Sequence, residues 1–162
     1  MKKIIFLLCF ILLTNISCEK DDFCLKNPVT PNLVIRFYDD TNNQLKKSAK
    51  LLSIWVEGKD TLTDYTSKSK DSIAIPLNSL TSETIYNLKI NNENGAEIDN
   101  QYSTFTIKYT TEEEYVSRSC GYRIIFNDVT FSNDDTNWIK GVTPETLTTI
   151  ENQDAAHVQI FH

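Results

Sequence analysis

Apolar and polar residues alternate with a period of two over most of this chain, the signature of half-buried β-strands. In NLVIRFYD, Leu33, Ile35 and Phe37 share one face and Val34, Arg36 and Tyr38 the other. KLLSIWVEG sets Leu52, Ile54 and Val56 against Leu51, Ser53 and Trp55. DSIAIPL offers Ile73, Ile75 and Leu77 inward, and Pro76 sends that strand to a sheet edge or to its own end. TIYNLKI turns Tyr86, Leu88 and Ile90 inward, with Asn87 and Lys89 out. STFTIKYT faces Phe105, Ile107 and Tyr109 against Thr104, Thr106 and Lys108.

From Cys120 to Phe131 the parity changes. Tyr122, Ile124 and Phe126 lie on one face, whereas Val129 and Phe131 fall on the opposite number. A bulge or break at Asn127-Asp128 restores a single buried face. HVQIFH reads as a closing strand with Val158 and Ile160 inward. Turn residues gather at Asp40 to Asn43, Asn91 to Gly95 and Asn133 to Asn137. A helical turn or two is expected around Pro144 to Ile150, with Thr143 as its cap. Short strands with turn signals roughly every ten residues predict an all-β fold. The expected form is an antiparallel β-sandwich, immunoglobulin-like, with a small β-barrel as the alternative.

The start of the chain has a different pattern. Lys2 and Lys3 precede the apolar run Ile4 to Leu13, which is shorter than the ~20 residues needed to span a bilayer. A basic tip, a brief apolar stretch and a small residue before a break describe a secretory signal peptide, residues 1–17. The segment around Ser17-Cys18 resembles a bacterial lipobox, though Asn15 stands where a leucine-like residue is usual. That resemblance implies lipid attachment at Cys18, a palmitate-type acyl chain among the additions, and the membrane as a partner. Two or three acyl chains hold a protein firmly where one is marginal, at ~0.8 kcal/mol per buried CH₂. Lys20, Asp21 and Asp22 resemble the export tag of Bacteroidetes lipoproteins, which implies display on the outer face of the outer membrane. Residues 18–23 are expected to be the lipidated N-terminus and a solvated acidic tether, compatible with such a tag, and the alternative location is the periplasmic face. Residues 24–162 are then expected to form one domain.

Losing residues 1–17 removes two of the 16 basic residues and none of the 22 acidic ones, so the formal charge goes from −6 to −8. Such a chain is a poor partner for nucleic acid, whose binding is dominated by phosphate neutralisation. Of the four cysteines, Cys9 leaves with the signal and Cys18 takes the lipid. Cys24 and Cys120 remain, and two thiols in an exported domain most simply form a disulfide. Closing so long a loop contributes at most a little over ~4 kcal/mol in chain-entropy models.

Candidate chemistry is sparse. His157 and His162, five apart on one strand, point to opposite faces and are expected to be exposed, so no metal site is expected. Asn133 to Asn137 (NDDTN) has oxygen donors but lacks the spacing of a calcium loop, and reads as a polar turn. Glu112, Glu113 and Glu114 read as a solvated loop. Ser117 and Ser119 lack a nucleophile-elbow context, and the four glycines form no phosphate cradle. No catalytic residue and no cofactor is therefore expected. Trp55, Trp138 and the seven tyrosines could build a platform for carbohydrate or peptide, but a tryptophan inside a sandwich strand is more often core.

Three motifs carry a wider resemblance: TPNLVIRFYD soon after a cysteine, SIAIPLN in the middle, and SRSCGYRIIF later. Together they are similar to a Bacteroidetes lipoprotein family defined by a domain of unknown function, over roughly Cys24 to Ile160. The resemblance implies an exported, β-rich lipoprotein and assigns no catalytic residue. The function expected is that of a lipid-anchored envelope protein, a non-enzymatic binding or assembly module with an envelope protein or glycan as partner. A small exported hydrolase, with Ser117 or Ser119 near His157, and a barrel-shaped ligand carrier are the alternatives.

Overall fold

A computed structural model describes Cys24 and residues 29–91, 96–134 and 138–162. Ten strands run β1 (Leu33–Tyr38), β2 (Ala49–Val56), β3 (Lys68–Lys70), β4 (Ser72–Ile75), β5 (Glu83–Asn91), β6 (Asn100–Ser117), β7 (Gly121–Asn133), β8 (Gly141–Thr143), β9 (Thr146–Ile150) and β10 (Val158–Phe161). Short 3-10 turns occupy Thr63–Tyr65 and Glu97–Asp99. The strands form two open sheets, ordered β4-β1-β10-β8 and β3-β2-β5-β6-β7-β9. This is a β-sandwich and no closed barrel, so the carrier reading loses the fold it needs. The described pairs are antiparallel except β1 with β10, which run parallel.

By its backbone contacts the chain divides into two units. The larger comprises Val29–Glu114 and Arg123–His162; the described part of the smaller is Cys24 with Tyr115–Tyr122.

In the larger unit the period-two pattern becomes one core. Leu33, Ile35 and Phe37 of β1, Ile73 and Ile75 of β4, and Val158 and Ile160 of β10 supply one side. Ile54, Tyr86, Leu88, Ile90, Phe105, Ile107 and Tyr109 supply much of the other. β4 ends just before Pro76 and lies at a sheet edge, where a missing N–H costs no ladder bond. The two buried tyrosine hydroxyls have partners: Tyr109 Oη donates to the Asn78 carbonyl at 2.8 Å, and Tyr86 Oη donates to the Pro76 carbonyl. Burial pushes the Tyr86 phenol well above its ordinary pKa, and Tyr109 nearby adds to this.

Two irregularities keep the core faces aligned. At Asp128 φ is +51°, where the parity change in β7 was expected. β9 changes face at the same level, so buried Ile150 lies opposite Phe126, and Leu147 lies opposite Val129. The second was invisible in the sequence. Leu51 takes φ +47° and adds one residue to β2 against β3, which lets both Ala49 and Leu52 point inward.

Four expectations are corrected. Residues 144–150 are not helical: β8 and β9 flank Pro144, because the Thr-rich, β-branched TLTTI pairs with β7. Glu112–Glu114 lie within β6 and not in a loop, with Glu114 ion-paired to Arg123 and Glu112 accepting from Asn127 Nδ2 at 2.6 Å. Tyr122 does not share the core with Phe126; it is 62% exposed and its ring meets that of Tyr115. Val56 is only half buried, since β2 ends there in a turn. The turns expected at Asn91 to Gly95 and Asn133 to Asn137 fall largely outside the described residues.

Candidate functional site

The residues expected to carry the anchor and the tag, Cys18, Lys20, Asp21 and Asp22, lie outside the described residues. Cys24 and Cys120 stand at disulfide distance, with Cα atoms 4.8 Å apart and sulfurs bonded. Around Cys120 the turn is held by its own N–H, which donates to Ser117 Oγ at 3.0 Å, and by Gly121 at φ +73°. A left-handed residue there suits glycine.

Both histidines correct the expectation of exposed termini. His157 Nδ1 accepts the Val34 N–H at 2.9 Å while its own N–H donates to the Val34 carbonyl at 2.8 Å. The imidazole thus satisfies a β1 donor just before the β1–β10 ladder begins. His162 is 8% exposed, its ring edge-on to Trp138 and Phe37 with centroids 5.3 and 5.9 Å away. Burial lowers the pKa of each, opposed by smaller hydrogen-bond contributions. Near His162, Lys47 Nζ donates to its carbonyl at 2.6 Å and pairs with Asp39 at 3.2 Å. Hydrogen bonds from Thr41, then Lys47, hold the Asp39 carboxyl well below the usual range.

These contacts are structural. Ser117 Oγ accepts from the Cys120 N–H, and His157 Nδ1 accepts from the Val34 N–H, which occupies the imidazole lone pair a general base would use. No cluster of three or more metal-ligating side chains occurs among the described residues.

The arrangement with the most binding character is on the outer face of the six-stranded sheet. Alternation puts Ile54 inward and therefore Trp55 outward, correcting the expectation that Trp55 is core. In register, Trp55 faces Asn87 of β5, and Lys89 of β5 lies between Ser53 of β2 and Tyr102 of β6. Tyr102 is half exposed, and its ring meets Trp55 edge-to-face with centroids 6.3 Å apart. The segment from Lys59 to Ser67 forms one wall. It is tied down by Leu62 N–H to the Ile54 carbonyl at 2.8 Å, Ser67 N–H to Ser53 Oγ at 3.0 Å, and Tyr65 Oη to both backbone groups of Ala74.

The resulting open cleft, about 490 Å³, has Trp55 and Tyr102 as its floor with Lys59, Lys89, Thr61 and Thr66 around it. The wall residues follow from turn chemistry at Gly58, φ +73°, but their meeting with Tyr102 is long-range and was not readable from the sequence. A second open cleft, about 560 Å³, is bounded by Val56, Pro76, Leu77 and Ile85 and is more apolar. Tyr86 also lines it, with its hydroxyl committed to the Pro76 carbonyl.

The described chain is thus a two-sheet β-sandwich protein with an aromatic and polar patch on one outer face. It belongs to a family of unknown function (DUF6452), whose model matches residues 51–162. SIAIPLN and SRSCGYRIIF fall inside that span, and TPNLVIRFYD precedes it. No curated protein and no solved structure matches the chain.

Proposed function

We propose that this is a lipid-anchored protein of the outer membrane, acylated on Cys18 and displayed outward through Lys20, Asp21 and Asp22. In this reading it holds a glycan on the Trp55–Tyr102 face and transforms nothing. The observation that carries the binding role is the edge-to-face ring pair set in a polar surface between Lys59 and Lys89. Aromatic faces pack against the apolar faces of sugar rings, while hydroxyl, amide and ammonium groups take up sugar hydroxyls. Two lysines against one aspartate, Asp60, at the cleft of an otherwise acidic chain favour a glycan bearing carboxylates. The backbone commitments of His157 and Ser117 favour binding over hydrolysis.

The test has two arms. Mass spectrometry of the mature N-terminus should find acylated Cys18; an intact peptide across Ile16-Ser17-Cys18 removes the anchor. Affinity electrophoresis through gels containing neutral or uronate-rich polysaccharides should retard the wild-type domain in the uronate gels and not Trp55→Ala. Equal mobility of the two in every gel removes the glycan role. Crosslinking from the Trp55 face to an envelope protein would then favour an assembly module.

A further inference from the structure

We infer that the turn end of the β6–β7 hairpin, with Tyr115 and Tyr122, lies at the membrane interface with both rings seated among lipid headgroups. The inference rests on the acylation of Cys18 proposed above, and it says which part of the folded chain meets the bilayer. Covalent geometry sets the reach. Six peptide steps separate Cys18 from Cys24, so their Cα atoms stand no more than about 20–22 Å apart. Cys24 is joined to Cys120, Cα to Cα 4.8 Å. An acyl-bearing Cys18 sits at headgroup level, so the hairpin turn cannot withdraw from that level by more than roughly 25–27 Å. The far limit requires a fully stretched tether, and a relaxed one brings the turn closer.

What the turn presents suits that place. Tyr115 and Tyr122 are 58% and 62% exposed, with ring centroids 5.3 Å apart at 65°. A phenol has an apolar body and a wet tip, which is why tyrosine gathers at bilayer interfaces. Residues 115–122 contain no carboxylate and one arginine, Arg118, in a chain with 22 acidic residues. They can approach anionic headgroups without repulsion. Glu112–Glu114, next along β6, and Glu19, Asp21 and Asp22 on the tether oppose deeper entry, so the contact is interfacial and not inserted. Exposed Leu80 and Ile98 have no such tether.

Hydroxyl-radical footprinting with peptide mass spectrometry tests this on the full mature chain. The acylated protein in phosphatidylethanolamine/phosphatidylglycerol vesicles is compared with a lipid-free Cys18→Ser chain. Oxidation of Tyr115 and Tyr122 should fall severalfold in vesicles, while Tyr102, 50% exposed, should be unchanged. Equal oxidation of Tyr115 and Tyr122 in both samples, with acylation verified by mass, overturns the inference and leaves the anchor standing. Protection already present in the lipid-free chain marks self-association and also overturns it. An unacylated Cys18 removes the anchor and the inference together, a result the mass alone distinguishes.

Discussion

Trp138 and Trp55 are the two tryptophans of the chain, and they do opposite things. Trp138 is 4% exposed, its ring tilted against Phe37 at 6.1 Å and edge-on to His162, with Nε1 reaching the Leu88 carbonyl at 3.4 Å. It joins β1 to β5 across the core. Trp55 sits in β2, one residue from its end, and faces outward beside Tyr102. The first ring is surrounded, and its value is packing. The second keeps a face available, and its neighbours are lysine, threonine and serine. Trp138 lies outside any strand, between β7 and β8, whereas Trp55 alternates along β2 with fully buried Ile54 and so faces outward.

Substitutions should widen that contrast. Trp138→Ala is expected to cost about 3–5 kcal/mol in denaturant unfolding, as removing a large buried ring leaves a cavity. Loss of less than about 1 kcal/mol would mean that Trp138 is not core. Replacing Cys24 and Cys120 together by serine should cost about 2–4 kcal/mol without altering either tryptophan's near-ultraviolet signature. If thiol titration of the denatured, unreduced protein finds two reactive sulfurs in residues 24–162, the bond is absent. Trp55→Ala should change stability by less than about 1 kcal/mol but weaken uronate-polysaccharide binding about tenfold, equivalent to ~1.4 kcal/mol.

The smallest effect concerns protons on the two histidines that flank β10. His162 and His157 have folded pKa values below the ordinary 6.5, mainly through burial. The unfolded chain therefore binds protons first on acidification, so stability is whole above about pH 6.5 and declines as pH falls toward the folded values. Urea midpoints measured from pH 7.5 to 5 should drop, and His162→Gln should flatten that slope. A slope unchanged in His162→Gln would place the titration elsewhere. Binding at the Trp55 face should not follow the same curve.

Much of the sandwich was legible because alternation is a local property. The inward sets of β1, β5 and β6 could be read residue by residue, and even the change of face near Asp128 was forced by Val129 and Phe131. What failed were places where tertiary partners override local preference. Thr143-Pro144 looked like a helix start, but Thr146–Ile150 had a β7 edge to join. His157 and His162 looked like loose ends, but one supplies a hydrogen-bond acceptor to β1 and the other an edge for two aromatic rings. The Leu51 bulge left no trace, since leucine carries no turn signal. As for the candidate site, its two aromatics were visible as material, but their meeting across β5 depends on strand order, which no local pattern encodes.

The parallel pairing of β1 with β10 has a consequence for how the molecule comes into being. Ile35 lies beside Val158, and Phe37 beside Ile160, more than a hundred residues later. As the chain is made from its amino end, β1 must wait with one flank unsatisfied until β10 has been made. Contacts so remote in sequence fold slowly and leave apolar edges open meanwhile. The earliest strand is thus among the last to be completed, and its apolar edge stands open until β10 docks beside it.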